Sequence, residues 1–340
     1  MMKGKNNDKF LTRREFIRRT GTYGAVGAGM VLGLDSLAHA AKFPSKDIKL
    51  IVPWSAGGGT DFVGRALMKN AKKYFGVNVA VINMPGAGGI TGATAIAQSR
   101  PDGYTVGIQG QYLTSKWLQG VTEYNISSFD NLMIVNRGPA CIAVRSDSKY
   151  KTIKDLLEDA KAHPGVVTMS IAGVGGAWHL AAVGLFVKMG IKVKFVAYQG
   201  AAPARASMLG GHVSSVSCGI SELYSFYKSK EVRILASCSA ERHPRFPDVP
   251  TLIEQGYQHQ AYVIRFLSAP KGVPKDRFQI LQEGFKKCYN DPDFIKLMDK
   301  RGFGRFLLMG KEFDDFIEAD MKEQVMALKE IGMLKRKIQK

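Results

Sequence analysis

The sequence predicts an α/β protein of two domains built on parallel sheets. Three observations carry that expectation. Strand-length apolar runs alternate with helix-length amphipathic segments from residue 48 to residue 237, the pattern of βαβ units. The 340 residues suffice for two domains of ordinary size. A glycine-rich corner, with a strand before it and a helix after it, occurs once in each half of that region, at residues 55–60 and 172–177.

Residues 48–53 read as a buried strand, and 61–75 as a helix with apolar residues at 62, 63, 66, 67, 71 and 75. A strand over 77–82 runs through "NMPGAGGITG" into a helix over 90–99. The turn "PDGY" precedes a strand at 105–109, and 141–144 is another. A helix over 152–162 takes Thr152 as its N-cap and stops at His163-Pro164-Gly165. Strands at 166–171, 192–197, 213–218 and 232–237 then alternate with helices at 178–189, 202–210 and 221–229. From Pro274 to about Leu334 the chain reads as nearly all helix, with Phe313, Phe316, Ile317, Met321, Val325 and Leu328 at helical spacing.

The first forty residues stand apart as an export signal. Thr12-Arg13-Arg14-Glu15-Phe16-Ile17-Arg18 is a twin-arginine pattern, a glycine-rich apolar stretch spans 21–34, and Ala38-His39-Ala40 is a small-x-small cleavage site. The apolar stretch is shorter than the roughly 20 residues a membrane span requires, which disfavours an anchor. This segment places the mature chain in the periplasm.

Hydrophobic residues make up 45% of the chain and charged residues 23%, a globular composition. The formal charge is +19; residues 1–40 hold seven Lys/Arg against three Asp/Glu, which leaves +15 on the rest. Such a field attracts anions. The Lys and Arg are scattered, without basic runs beside aromatics outside the extreme C-terminus, so small anions or an anionic surface fit better than nucleic acid. The cysteines at 141, 218, 238 and 288 form no CxxC or Cys/His cluster, and no metal or cofactor is expected. Cys218 and Cys238 both end apolar runs, and a disulfide between them is a minor alternative to free thiols.

Each glycine corner presents helix N-terminal N–H groups that lack intrahelical partners, at the positive end of the helix dipole. Glycine lets a ligand approach that backbone closely, so the corner can bind an anion without a charged side chain. Taken singly, each corner also reads as a tight βα turn. Two of them in different α/β units suggest a ligand gripped at both ends. A third glycine stretch, Gly86 to Gly92, fails the dinucleotide pattern because position 91 is Thr91. No GxxxxGK[ST] phosphate loop or GxSxG nucleophile elbow occurs. His179 is the only histidine beside a glycine corner; it is a candidate ligand contact, with a local backbone cap as the alternative. Asp61 is a candidate contact too, with stabilisation of the helix start or the loop as its other reading.

Taken together, "LIVPWSAGGGTD", "VINMPGAGGITGA", "RPDGYTV", "SIAGVGGAWHLA", "VAYQGAAPA", "RILASCSAERHPRFPDVPTL" and "APKGVP" resemble, in order and spacing, the solute-binding proteins of tripartite tricarboxylate transporters, the Bug family. The resemblance spans residues 48–333. It implies a two-domain flytrap of the type II periplasmic-binding-protein kind, holding a small carboxylate in the cleft between domains. Domain 1 would comprise 41–143 with 265–340, and domain 2 residues 144–264. The first-domain loop would be Trp54, Ser55, Ala56, Gly57 and Gly58. The second-domain loop would be Ala172, Gly173, Gly175, Gly176 and Ala177. Tyr198, Gly200 and Ala201 match a further cleft segment, and Gln109 and Gln111 follow the third strand where relatives place polar contacts. Relatives carry hydroxyls where this chain has Gly176 and Ala177, and an acid where it has Cys218, which disfavours amine-bearing ligands. Trp54, bulkier than the usual Phe, offers a face for a flat acid.

The resulting expectation is a monomeric, non-enzymatic receptor that closes on a carboxylate and delivers it to membrane permease subunits. The alternatives are an exported enzyme using Asp61 and His179 as acid and base, and a ligand sensor that signals to a receptor.

Overall fold

The computed structural model describes residues 43–336. The twin-arginine and cleavage motifs lie outside the described residues. From Lys46 onward the chain forms one compact unit, to which everything below refers.

The first half of this unit is built on β1 (Ile48–Val52), β2 (Val79–Asn83) and β3 (Thr105–Gly110). β1 pairs in parallel with both β2 and β3. Ile48, Leu50, Ile51 and Val52 are all buried, as expected of a parallel strand covered on both faces. The helices of this half are α1 (Gly59–Met68), α2 (Ala71–Phe75), α3 (Ile90–Ala97) and α4 (Tyr112–Leu118). The single helix expected over 61–75 is two, because the chain breaks at Lys69-Asn70 before α2 restarts.

The expected short strand at 141–144 is the end of a much longer one, β4 (Phe129–Arg145), with 17 residues. It joins the two halves. Phe129 to Pro139 pair antiparallel with β9 (Tyr262–Pro270), and Ala140 to Arg145 pair antiparallel with β7 (Ser215–Gly219) and β8 (Val232–Ser237). In the second half, β5 (Thr168–Ala172) lies parallel to β6 (Lys194–Tyr198) and to β7. β9 also pairs antiparallel with β3, so the principal strand order is β2-β1-β3-β9-β4-β7-β5-β6. The sheet is therefore mixed rather than purely parallel: long-range returns through β4 and β9 add antiparallel strands to two parallel βαβ cores.

The second half carries α5 (Ile153–Ala162), α6 (Ala177–Lys188), α7 (Ala201–Leu209) and α8 (Tyr224–Lys228). α5 shows how local sequence fixes an element. The Thr152 hydroxyl accepts from the Asp155 amide at 3.2 Å, and the Asp155 carboxylate accepts from the Thr152 amide at 2.9 Å, a closed capping box. Ile153, Leu156, Leu157 and Ala160 fall on one face and are buried, each large apolar side chain contributing about 1.5–3 kcal/mol. The segment after Pro274 forms α9 (Lys275–Tyr289), α10 (Pro292–Arg301) and α11 (Gly310–Glu330), interrupted by β10 (Arg305–Leu308), which pairs with β4. α11 buries Phe313 and Leu328 from the expected stripe.

Candidate functional site

The two glycine corners meet. In the first half, β1 ends at Val52 and the chain turns through residues 53–58 into α1. Gly57 adopts a left-handed φ of 80°, which glycine takes at no steric cost. Asp61, in the first turn of α1, organises this loop: its Oδ2 accepts from the Gly57 amide at 2.9 Å, and its Oδ1 accepts from Arg65 at 2.9 Å and Asn83 at 3.0 Å. Asn83 also donates to the Trp54 carbonyl at 2.9 Å. The Asp61 side chain is thus a buried loop anchor.

In the second half, β5 runs into Gly173 and Gly175, both at positive φ, and then into α6. His179, buried in the first turn of α6, accepts from the Gly175 amide through Nδ1 at 2.9 Å. Burial, and then the charge of Lys116, lower its pKa to about 4, so the ring is neutral at pH 7 and serves as an acceptor. Its partner is the loop backbone, the local role weighed for it above.

α4 of the first half holds the second loop directly. Ser115 donates to the Gly175 carbonyl at 2.7 Å, Gln119 does so at 3.2 Å, and Lys116 donates to the Val174 carbonyl. Trp54 sits edge-on to Tyr112, with ring centroids 5.2 Å apart, and lies against Gly173, where an added Cβ would fall 3.6 Å from the indole. A second clasp lies at Ser55, whose amide and hydroxyl both donate to the Gln199 carbonyl, at 3.1 and 2.9 Å.

Between these contacts lies a cavity of about 40 Å³. Trp54, Gly58, Gly59 and Thr60 line it from the first corner, and Ala172, Ala177 and Trp178 from the second. The N-termini of α1 and α6 therefore open onto the same space, where unpaired helix N–H groups and two helix dipoles favour negative charge. Gln109, Gln111 and Ala201 also line it. Gln109 is held at both ends, donating to Ser268 at 2.7 Å and accepting from Tyr112 at 3.1 Å. Gln111 accepts from the Ile264 amide at 3.0 Å and donates to Asp320 at 2.5 Å.

Other expected site residues lie off the lining. Ser55, Ala56, Gly57, Gly173, Gly175, Gly176 and Gly200 shape the corners and the clasp. Tyr198 bonds Ser207 through its hydroxyl at 2.5 Å. Cys218 is buried in the core of the second half, paired in register with Cys141. All four cysteines are buried and free, so the Cys218–Cys238 disulfide weighed above is absent. Among the described residues no group of three His, Cys, Asp or Glu is placed to hold a metal.

Two charged residues of the cavity went unnoticed in the sequence. Arg265, on β9, sits inside the apolar run Val263-Ile264-Arg265-Phe266-Leu267, and that misplaced charge was the available signal. Glu222 lies in the 3₁₀ turn after β7. Arg265 Nη2 donates to Glu222 Oε1 at 3.2 Å, and the two side chains are only 5% and 2% exposed. Arg265 is held within its own half by the Thr60 hydroxyl at 3.0 Å and the Asn136 side-chain oxygen at 2.5 Å.

Residues 63–333 match the family model for tripartite tricarboxylate transporter family receptors. A UPF0065 protein of Cupriavidus necator is 30% identical over 328 residues, covering 96% of this chain and 99% of that one. The solved periplasmic binding protein BugD is 30% identical with a TM-score of 0.78, covering 86% of this chain and all of BugD. A Rhodopseudomonas palustris protein solved with adipate has a TM-score of 0.80 at 21% identity, covering 85% of this chain and 98% of that one, a likeness of fold.

Proposed function

Because this chain belongs to the family of tripartite tricarboxylate transporter receptors, we propose that it captures a small organic carboxylate between the two halves of its sheet and hands it to the transporter's membrane permease. The observation that carries this reading is the shared cavity. Two strand-to-helix corners from opposite halves turn their helix N-termini onto one small space that also contains Arg265. The solved fold neighbour with adipate shows that this architecture accommodates a carboxylate.

The mechanism is closure rather than bond chemistry. Domain 1 comprises 41–143 with 265–340 and domain 2 comprises 144–264, and the chain crosses between them in β4 and at the start of β9. The pairing supports crossings in these two strands, with the change of partners in β4 falling after Pro139, a few residues before 143, and with β9 paired to β3 and to the Phe129–Pro139 part of β4. A ligand that touches both corners binds the closed form better than the open one and shifts the population toward it. The Trp54–Gly173 and Ser55–Gln199 contacts form only when the halves meet, so the surface seen by the permease differs between loaded and empty receptor. The ligand-contacting set is Trp54, Gly58, Gln109, Gln111, Ala172, Ala177 and Ala201, with Asp61, His179 and the glycines fixing the loops around it. The family's setting is the periplasm, reached here by twin-arginine export and cleavage near Ala40, and the receptor works as a monomer.

A thermal-shift and calorimetric screen of mono-, di- and tricarboxylates and aromatic acids tests this reading. Saturable binding of at least one acid at one site per chain is expected. No binding across the panel would overturn it.

A further inference from the structure

We propose that Glu222 and Arg265 set the charge of the ligand this receptor accepts: an acid of one net negative charge that also carries a hydroxyl donor. The inference rests on the carboxylate-receptor reading above and sharpens it. The geometry begins with Arg265, whose guanidinium is locked to Thr60 and Asn136 and reaches across to the second half through Nη2. Its partner there, Glu222 Oε1, stands at the N-terminus of α1. A Cβ built on Gly59 would lie 2.5 Å from Arg265 Nη2 and 2.8 Å from the Glu222 carboxyl carbon. The protein's own carboxylate therefore already occupies part of the space where the α1 terminus and Arg265 favour an anion.

The second observation is independent. Glu222 lines the cavity, its side chain is 2% exposed, and its Oε2 has no hydrogen-bond partner among the described residues. Arg205 Nη1 stands 4.0 Å away, near enough to interact electrostatically but beyond hydrogen-bonding distance. A buried carboxylate oxygen left without a donor is costly, and a ligand donor placed there removes that cost.

Charge counting then selects the class. Arg265, Arg205 and Glu222 together carry one positive charge. One ligand carboxylate at the helix termini balances it. A second would meet Glu222 in a water-poor space with no cation left to offset it, a repulsive element of the kind that enforces specificity. A hydroxyl in that place donates to Oε2 instead. Sites built to hydrogen-bond a ligand donor reject analogues lacking it far more strongly than apolar pockets reject a methylene.

The test is calorimetry on the mature protein with carbon-matched sets three to eight carbons long: the hydroxy-monocarboxylate, the plain monocarboxylate and the α,ω-dicarboxylate. For wild type, the donor-bearing monoanion is expected to bind at least tenfold more tightly than the dicarboxylate of equal length. Glu222→Gln is expected to erase that ratio or invert it in favour of the dicarboxylate. Equal wild-type affinities for the two classes would overturn the proposal, and so would an unchanged ratio in the variant. The wild-type comparison decides alone if the variant does not fold. Binding of no acid by either protein would instead overturn the receptor reading on which the proposal stands.

Discussion

Gly59→Ala isolates the contact between the halves. Gly59 opens α1, and alanine is the better helix former, so local propensity alone would favour the change by up to about 1 kcal/mol. The cavity side opposes it. The new methyl would fall 2.5 Å from Arg265 Nη2, where ordinary contact begins at 3.4 Å, so the guanidinium must retreat by about 0.9 Å. The carboxyl carbon of Glu222, which belongs to the opposite half, lies 2.8 Å from the same methyl. Overpacking of this kind costs about 1–3 kcal/mol. Charged to closure, that corresponds to about 5- to 150-fold weaker ligand binding. Calorimetry with the acid found in the screen, beside a thermal melt of the ligand-free protein, reads both quantities. The expected result is that loss of affinity with a melting temperature little changed. Wild-type affinity in the variant would refute the placement of Gly59, Arg265 and Glu222 around one closed site.

Three further outcomes follow from particular residues. The His179 pKa of about 4 lies below the ordinary 6.5, so the folded protein binds fewer protons between those values. Its contribution, up to about 3 kcal/mol, is present in full above pH 6.5 and is lost as pH falls toward 4; denaturant titrations of wild type and His179→Gln should show a shallower acid slope in the variant, and parallel slopes would contradict the buried neutral ring. Ser55→Ala removes one of two hydrogen bonds to the Gln199 carbonyl, so affinity should fall about 2- to 10-fold by the usual 0.5–1.5 kcal/mol; no change would mean the clasp is not part of closure. Exchanging Arg13 and Arg14 for Lys should leave the protein in the cytoplasmic fraction, and mature protein in the periplasm would remove the twin-arginine assignment.

What could be read in the sequence was local. α5 announced itself through Thr152, Asp155 and a four-residue apolar face, and the corners at Gly57 and Gly173 through glycines that lie at left-handed φ. β4 could not be read, because Asn131, Asn136, Arg137, Gly138 and Pro139 interrupt its apolar period while partners far along the chain supply its pairing. α4 was missed because Tyr112, Thr114, Ser115 and Lys116 look like a polar loop; Ser115 and Lys116 are in fact spent on carbonyls of the second corner, some sixty residues along the chain. The same reason hid the cavity's charges. Arg265 and Glu222 are 43 residues apart, and only the return of β9 beside β4 brings them together. Of the expected backbone donors, the Ser55 and Gly57 amides serve Gln199 and Asp61, while Gly58, Gly59 and Thr60 line the cavity.

A crystal structure of the protein grown with its tightest-binding acid tests the central claim most directly. The acid group is expected against the N-terminus of α1, within hydrogen-bonding distance of Gly58 to Thr60 or Arg265, with the same molecule touching Ala177 or Trp178 across the cleft. An acid lodged instead in the larger groove of about 330 Å³ between α6 and α11, with the space beside Arg265 unchanged, would contradict it.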